Sequence, residues 1–182
     1  PMSIDFFLHP VFNPKEKEKA VHSGRFLAKG LNAGPGAVSG KIVLSAEKAE
    51  ELSSKKQKVI LVRHETSPED IGGINVSEGI LTKTGGMSSH AALVARGMGK
   101  TCVVGCIDLE IDYEKRTLKI KGKTFKELDE ISIDGYTGEI FEGKIASQDS
   151  EVIQVISQKM PADQSRMFAL YEKVMHWCDR YT

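Results

Sequence analysis

The sequence contains one histidine in a setting that suits covalent phosphoryl chemistry. His90 follows Gly85-Gly86-Met87-Ser88-Ser89 and precedes the helix-like run AALVARG. The glycine pair permits a tight turn, and Ser88 or Ser89 can cap the next helix. His90 is then expected in the first helical turn, where unpaired N–H groups and the positive end of the helix dipole attract phosphate. A nucleophile and an anion site would therefore coincide.

Polar side chains near this turn extend the candidate site. Thr82 and Thr84 could exchange hydrogen bonds with the imidazole or a phosphate, but both also suit a strand end. Arg96 lies six residues beyond His90, more than one helical turn, so docking or a salt bridge suits it better than phosphate contact. A glycine pair before a helix is, by itself, equally typical of an ordinary capping turn. The predicted phosphate cradle comprises Gly85, Gly86, Ser88, Ser89, Thr82 and Thr84.

The elements that must position these residues alternate between short strands and helices. Hydrophobic patterning predicts strands over 41–45, 59–62, 79–82 and 102–104, and helices over 47–53 and from His90 onward. After residue 117, alternating isoleucines predict mainly strands, separated by turns at 121–123 and 134–135. The fold class is therefore α/β, with mixed strands and short helices.

The chain divides into three predicted regions. Residues 1–23 are an N-terminal linker segment, 24–144 form the α/β domain, and 145–182 are a C-terminal linker and helix leading toward a further domain. The charged stretch 14–19 is expected to be a solvated linker or a short exposed helix. One apolar helical face is predicted near the end of the chain, comprising Met167, Leu170, Tyr171, Val174 and Trp177.

A longer stretch carries a resemblance to a known family. Residues 81–100, LTKTGGMSSHAALVARGMGK, closely resemble the phosphohistidine motif of the pyruvate, phosphate dikinases. Segments 33–40, 65–70, 4–13 and 175–177 match in the same order, so the resemblance covers nearly the whole chain. It implies the swivelling β/β/α phosphohistidine fold of that family's central domain, with His90 as the phosphoryl carrier.

The resemblance also implies partners. An N-terminal ATP-grasp domain would phosphorylate His90 from ATP, and a C-terminal β/α barrel would receive the phosphoryl group for pyruvate, giving phosphoenolpyruvate. Mg²⁺ and a monovalent cation would be bound by those domains, with none bound here, and the parent would be an intracellular homodimer, in the cytoplasm or a metabolic organelle. The isolated domain is not expected to turn over.

Other readings remain open. Phosphoenolpyruvate synthase and the first enzyme of the sugar phosphotransferase system use related domains with the same histidine chemistry. The chain could also be a non-catalytic interaction module, or a small-anion binding domain that forms no covalent adduct. Substitution of His90 separates the carrier readings from the interaction module, because a purely structural turn predicts no loss of activity in the parent. A small-anion binding domain would bind phosphate without ever forming a covalent adduct.

Two positions depart from the family pattern. Thr84 stands where many members have arginine, which removes a possible phosphate contact. Ser88 stands where many have a threonine that is regulated by phosphorylation in plants, so Ser88 is a candidate regulatory site, although helix N-capping is the simpler interpretation.

Composition narrows the class of protein. The 182 residues carry 25 basic and 25 acidic side chains, so no basic excess favours nucleic acid or an anionic membrane. No apolar run approaches the roughly 20 residues of a membrane span. Cys102, Cys106 and Cys178 are expected to be free thiols in a reducing compartment.

The remaining histidines have no predicted ligand partners, so no metal site is expected. His9 is expected in the N-terminal segment, His22 in a polar linker and His176 on the last helix. His64 follows a predicted strand and could approach the site, although an exposed loop position is the stronger expectation.

Overall fold

The computed structural model describes residues 4–181, apart from the side chains of Asp5 and Tyr181. The strands are β1 (Val11–Phe12), β2 (Phe26–Lys29), β3 (Leu31–Gly34), β4 (Ala37–Val43), β5 (Val59–Arg63), β6 (Gly79–Thr82), β7 (Thr101–Val104), β8 (Leu109–Asp112), β9 (Thr117–Ile120), β10 (Lys123–Lys126), β11 (Glu130–Asp134), β12 (Glu139–Glu142) and β13 (Ser147–Gln148). The α-helices are α1 (Pro14–His22), α2 (Ala46–Ser54), α3 (Ile71–Val76), α4 (His90–Gly97), α5 (Glu151–Ile156) and α6 (Arg166–Tyr181). Short 3-10 helices cover Ile4–Phe7, Pro68–Asp70 and Ala162–Gln164.

Eight strands form the main sheet, in the order β2-β12-β11-β4-β5-β6-β7-β3. The central strands β4, β5, β6 and β7 are parallel neighbours, and the outer strands pair antiparallel. Because parallel strands run in one direction, the ends of β5, β6 and β7 meet at one edge of the sheet, here called the carboxyl edge. Their starting ends form the opposite, amino edge.

Both faces of the main sheet are buried, because successive side chains of a strand point to opposite sides. In β5, Ile60 and Val62 belong to one core, whereas Val59 and Leu61 belong to the other. A small antiparallel sheet, β10-β9-β8, covers the first core with Leu109, Leu118, Ile120 and Phe125. Helices cover the second core with Ala49, Leu52, Ile74, Ala91, Ala92 and Ala95. The layers are therefore β/β/α, and the predicted α/β class is confirmed.

The elements predicted around the site are confirmed, with shifted boundaries. β4 begins at Ala37, earlier than expected, because its first residues pair with β11. The predicted helix over 47–53 is α2, whose N-cap Ser45 accepts a hydrogen bond from the Lys48 amide at 3.2 Å.

The charged stretch near residue 14 folds as α1, which confirms the short helix among the two interpretations. Asn13 caps it by accepting hydrogen bonds from the amides of Lys15 and Glu16. Ala20 is fully buried on the domain side. This part of the predicted linker is therefore packed on the domain.

The two terminal segments lie together at the amino edge. β1 pairs antiparallel with β13, which joins the segments to each other. Tyr136, in the turn after β11, donates its hydroxyl to the carbonyls of Phe6 and His9. β11 ends beside Ala37, the first residue of β4, which places this turn at the amino edge. The division of the chain at residues 23 and 144 stays a prediction.

The predicted apolar face of α6 is only partly covered. Tyr171 meets the ring of Phe7 with centroids 5.9 Å apart, but Leu170 and Trp177 are exposed. No helix among residues 4–181 is long and apolar enough to cross a membrane.

An ion-pair cluster fastens α1 to the domain. Lys17 Nζ lies 2.6 Å from Asp134 Oδ2 and 2.5 Å from Glu139 Oε2. Burial alone would lower the pKa of Lys17, but hydrogen bonds to the two carboxylates outweigh it and raise the pKa. Burial would raise the pKa of Glu139, but the hydrogen bonds from Lys17 and Thr137 lower it overall.

Lys17→Met is therefore expected to lower the free energy of unfolding by about 2 kcal/mol at pH 7. The pKa of Glu139 is lower in the folded state than in the unfolded state. Its ion pair with Lys17 therefore contributes its full stabilisation above the unfolded-state pKa, and this contribution is lost as the pH falls through the folded-state pKa. Urea unfolding of the unaltered protein and of the Lys17→Met variant should show a smaller difference in the free energy of unfolding at pH 3 than at pH 7. An equal difference at both pH values would contradict this electrostatic account.

Candidate functional site

The turn that carries His90 stands at the carboxyl edge of the main sheet. β6 ends at Thr82, and α4 begins at His90, so the residues between them cross from the sheet to the helix layer. Ligands of open parallel sheets bind outside this edge, because the loops that leave the strands there can converge on them. The predicted strand–turn–helix arrangement is confirmed.

Two glycines give the turn its shape. Gly85 has φ +102°, a conformation that side chains disfavour, and a Cβ there would lie 3.0 Å from Ser89 Oγ. Gly105, just after β7, has φ +64°, and a Cβ there would lie 2.7 Å from the carbonyl oxygen of Gly85. Gly86 faces open space, with nothing within 4 Å of such a Cβ. The loop after β7 therefore supports the turn from one side and leaves its tip open.

Ser89 is the N-cap of α4. Its side chain accepts a hydrogen bond from the Ala92 amide at 3.4 Å, and its carbonyl accepts one from the Leu93 amide at 3.0 Å. The interpretation of Ser88 as the cap is wrong, because the helix begins one residue later than that role requires. Ser88 is exposed, and its hydroxyl has no hydrogen-bond partner among the described residues.

The two threonines hold the turn through backbone carbonyls. The Thr82 hydroxyl is fully buried and donates to the Thr84 carbonyl at 2.7 Å. The Thr84 hydroxyl donates to the His64 carbonyl at 3.0 Å, which also accepts from the Thr84 amide at 3.0 Å. In this conformation both hydroxyl groups donate their protons to backbone carbonyls and so position the loop. Neither proton is available for a hydrogen bond to His90.

His90 presents unused hydrogen-bonding groups. Its Nε2 atom is buried and has no hydrogen-bond partner among the described residues. The amides of His90 and Ala91 likewise have no partner there, as expected at a helix start. A ring nitrogen and unpaired amide donors therefore lie at the same helix terminus. Transfer through Nε2 requires the ring or the turn to move, because the atom is out of contact with solvent.

Arg96 binds the turn from the last part of α4. Its Nη2 donates to the Met87 carbonyl, while the side chain remains exposed. The side chain thus reaches back to the turn despite its six-residue separation from His90. Its role in docking stays a prediction.

The neighbouring loop after β5 brings further polar groups to the same edge. His64 is exposed, and its amide donates to the Tyr113 hydroxyl at 2.9 Å. Thr66 is buried, yet its hydroxyl has no hydrogen-bond partner among the described residues. An unpaired buried hydroxyl is unfavourable, so it marks a candidate functional group. Sequence reasoning missed Thr66, because nothing in the sequence of a polar loop shows that one of its residues is buried. The available signal was that Thr66 follows β5, the strand before the one that leads into the His90 turn.

The other candidate groups are not suited to the chemistry of this site, although the Cys102 thiol lies 4.0 Å from the Ala91 carbonyl oxygen and the Cys106 amide donates to the Thr82 carbonyl. Within residues 4–181, no three histidine, cysteine or acidic side chains are grouped to hold a metal ion. Burial raises the pKa of Cys102 to about 12 and that of Cys106 to about 11, so both are poor nucleophiles. A cavity of about 430 Å³, lined by Phe6, Phe12 and Met167 among others, lies between the terminal segments.

Comparison with known proteins gives two kinds of match. Residues 55–138 match the family described as PEP-utilising enzyme, mobile domain, and this range contains the whole His90 turn. Pyruvate, phosphate dikinase of Clostridium symbiosum is 44% identical over 179 residues, covering 98% of this chain and 18% of that protein. Pyruvate, phosphate dikinase 1, chloroplastic, of Arabidopsis thaliana is 47% identical over 146 residues, covering 80% and 15%. The chain thus spans less than a fifth of these relatives.

A solved structure gives a weaker match. The NMR solution structure of Enzyme I (nEIt) aligns with 63% of this chain and 40% of that chain, with 21% identity and a TM-score of 0.35. Similarity at this level supports no conclusion about the site.

The contact between Gly105 and Gly85 can be tested with a matched pair of substitutions. Gly122 also has positive φ, but a Cβ there meets nothing within 4 Å. Gly122→Ala should lower the free energy of unfolding by about 1 kcal/mol through backbone strain alone. Gly105→Ala should lower it by about 2 kcal/mol more, because its Cβ must also displace the Gly85 carbonyl. Equal losses in denaturant unfolding would show that the loop after β7 does not support the turn.

Proposed function

Because this chain contains a mobile domain of the PEP-utilising enzyme family and aligns with pyruvate, phosphate dikinases along nearly its whole length, we propose that it is the phosphoryl-carrier domain of a longer pyruvate, phosphate dikinase. His90 is the residue that becomes phosphorylated. The observation that carries this proposal is the place of His90 as the first residue of α4, with an unpartnered Nε2 and unpaired amides beside it.

The proposed chemistry is reversible covalent transfer. A ring nitrogen of neutral His90 attacks the donor's phosphorus, so that an N–P bond forms while the P–O bond to the leaving group breaks and its electron pair stays on the leaving oxygen. The second nitrogen keeps its proton. Transfer to the acceptor oxygen reverses these changes. Amide donors at the start of α4 favour the negative phosphoryl oxygens during both steps.

The longer protein would convert ATP, phosphate and pyruvate into AMP, pyrophosphate and phosphoenolpyruvate. In an N-terminal ATP-grasp domain, His90 would attack the β-phosphorus of ATP and AMP would leave, after which the pyrophosphoryl group on His90 would give its terminal phosphoryl group to inorganic phosphate, forming pyrophosphate. A C-terminal β/α barrel would pass the phosphoryl group that remains on His90 to pyruvate. We assign Mg²⁺ and a monovalent cation to those domains, as the resemblance to the family implies. A homodimeric parent in the cytoplasm or a metabolic organelle completes the proposal, which in these respects rests on the resemblance to the family.

The geometry of the domain suits a carrier that serves two sites. His90 lies at the carboxyl edge, while both terminal segments lie together at the amino edge. Rotation about the terminal segments would therefore move the edge that carries His90 through the widest arc. A rigid three-layer core between the two edges would keep the turn intact during that movement.

The roles of the cradle residues follow from their contacts. Gly85 and Gly86 let the turn approach a ligand, and Ser89 orients α4 as its cap. Thr82 and Thr84 hold the turn in place. Ser88 has the exposed hydroxyl that can donate to a phosphoryl group, and the same exposure keeps it a candidate regulatory site.

The test is to map the covalent adduct. The longer protein that contains this chain is incubated with phosphoenolpyruvate and Mg²⁺, and acid-labile phosphorylation is located by mass spectrometry. We expect a single phosphoryl group on His90, and none in the His90→Ala variant.

His64→Gln is the matched control, because His64 is an exposed histidine whose carbonyl binds the same turn. This variant should be phosphorylated like the unaltered protein. Absence of any adduct on a folded protein that binds pyruvate would refute the carrier role.

A further inference from the structure

The backbone at the end of β5 holds the first residues of the His90 turn. The His64 carbonyl accepts two hydrogen bonds at 3.0 Å, one from the Thr84 amide and one from the Thr84 hydroxyl. The Arg63 carbonyl accepts another from the Lys83 amide at 3.1 Å. The position of His64 therefore determines the position of Thr84, from which the turn continues toward His90.

Tyr113 binds the same stretch of backbone. Its hydroxyl oxygen accepts a hydrogen bond from the His64 amide at 2.9 Å. Tyr113 directly follows β8, in the connection between β8 and β9, so it belongs to the small antiparallel sheet. The Lys115 amide donates to Asp112 Oδ1 at 2.9 Å and so fixes this connection. The small sheet thus reaches the loop after β5, and through it the turn.

A partly buried ion pair fixes the ring of Tyr113. The guanidinium of Arg63 lies over this ring, with Cζ 5.2 Å from the ring centroid, which is a cation–π contact. Arg63 Nε lies 3.2 Å from Asp70 Oδ1, and Nη1 donates to the Leu44 carbonyl at 2.9 Å. Because the guanidinium is held by two other groups, the ring that it covers has little freedom. The hydroxyl of Tyr113 is therefore kept beside the His64 amide.

Tyr113 contributes to this edge of the sheet more through its hydroxyl than through burial of its ring. Its side chain is 43% exposed, so it adds little to the buried cores. Removal of the hydroxyl alone would leave the ring in its contact with Arg63. It would also leave the His64 amide exposed to water, which can bind the amide but cannot hold it in place.

The position of the turn matters because group transfer depends steeply on geometry. Reacting atoms are held about 3–3.5 Å apart, and a displacement of about 1 Å can cost about a hundredfold in rate. The loop after β7 holds the turn as well, since the Cys106 amide donates to the Thr82 carbonyl at 3.0 Å and the Gly105 amide to the Thr84 carbonyl at 3.4 Å. Thr84 is thus held by two loops, and loosening either would let the turn move.

We infer that Tyr113 is a positioning residue for phosphoryl transfer at His90. Through the His64 peptide it holds Thr84, and thereby the turn, in the reactive position. This inference rests on the proposed carrier function and adds to it a residue that lies outside the turn and its helix. Tyr113 contacts none of the reacting atoms in this account and acts through the backbone alone.

Tyr113→Phe is the test, because it removes the hydroxyl and keeps the ring over Arg63. In the longer protein, the initial rate of His90 phosphorylation is measured over a range of phosphoenolpyruvate concentrations with Mg²⁺. The maximal rate should fall about fivefold, because the turn is held less firmly. The concentration that gives half of this rate should stay unchanged, because Tyr113 does not bind the donor. Thermal unfolding should be nearly unchanged.

Hydrogen exchange reports on the turn itself. In the longer protein with Tyr113→Phe, the backbone amides of a peptide covering residues 83–89 should exchange about fivefold faster, the factor that corresponds to the loss of one hydrogen bond of ordinary net strength. A peptide covering residues 11–22, which form β1 and α1 at the other edge, should exchange as before.

Tyr171→Phe is the matched control. It also removes one phenolic hydroxyl, but Tyr171 lies on α6, where its ring meets that of Phe7 with centroids 5.9 Å apart. The maximal rate and the exchange of residues 83–89 should both stay within about twofold of the unaltered protein, the usual range for a substitution away from a structural or functional contact.

An unchanged maximal rate for Tyr113→Phe would overturn the positioning role and leave the carrier function standing. A slower rate with unchanged exchange of residues 83–89 would also overturn it, because the effect would not pass through the turn. Failure of the unaltered protein to be phosphorylated on His90 would overturn the carrier function and the positioning role together.

Discussion

The parallel pairing of β4, β5, β6 and β7 is the constraint on which the rest of the molecule depends. Parallel strands that are buried on both faces must have a crossover after each strand, and every crossover leaves from the same edge. That edge receives the loop after β5, the His90 turn and the loop after β7. The close approach of Gly105 to the Gly85 carbonyl then joins two of these loops into one rigid support. His90 owes its place to this arrangement more than to its own contacts.

The same constraint separates His90 from the two terminal segments. Strands that finish at the carboxyl edge start at the amino edge, where the terminal segments pair through β1 and β13. Tyr136 fastens the N-terminal segment there, and Lys17 fastens α1 to the adjoining end of β11. The carrier proposal uses this separation, because it requires only that the domain turn as a unit. In this account, domain movement brings the nucleophile to the donor and acceptor while the fold stays unchanged.

Sequence reasoning reached the turn, the helix start and His90 because these depend on local rules: glycine in a tight turn, serine at a cap, and apolar periodicity. The β/β/α layering came from family resemblance, since alternation along a strand cannot show which element covers each face. The choice of Ser89 over Ser88 as cap depends on a one-residue difference in where the helix begins. The hydroxyl contacts of Thr82 and Thr84 depend on loop carbonyls brought close only by the fold. Burial of Thr66 and the contact of Tyr113 with the His64 amide are likewise tertiary properties.

The most direct test of the account is whether phosphorylated His90 forms and disappears fast enough to be an intermediate. Rapid-quench measurement on the longer protein, with radiolabelled phosphoenolpyruvate as donor followed by a chase with AMP and pyrophosphate, would follow the label on His90 through a single turnover. The account predicts that label appears on His90 and leaves it for the acceptor, with both rate constants at least as large as kcat. Label that bypasses His90, or that leaves it more slowly than the enzyme turns over, would contradict the account.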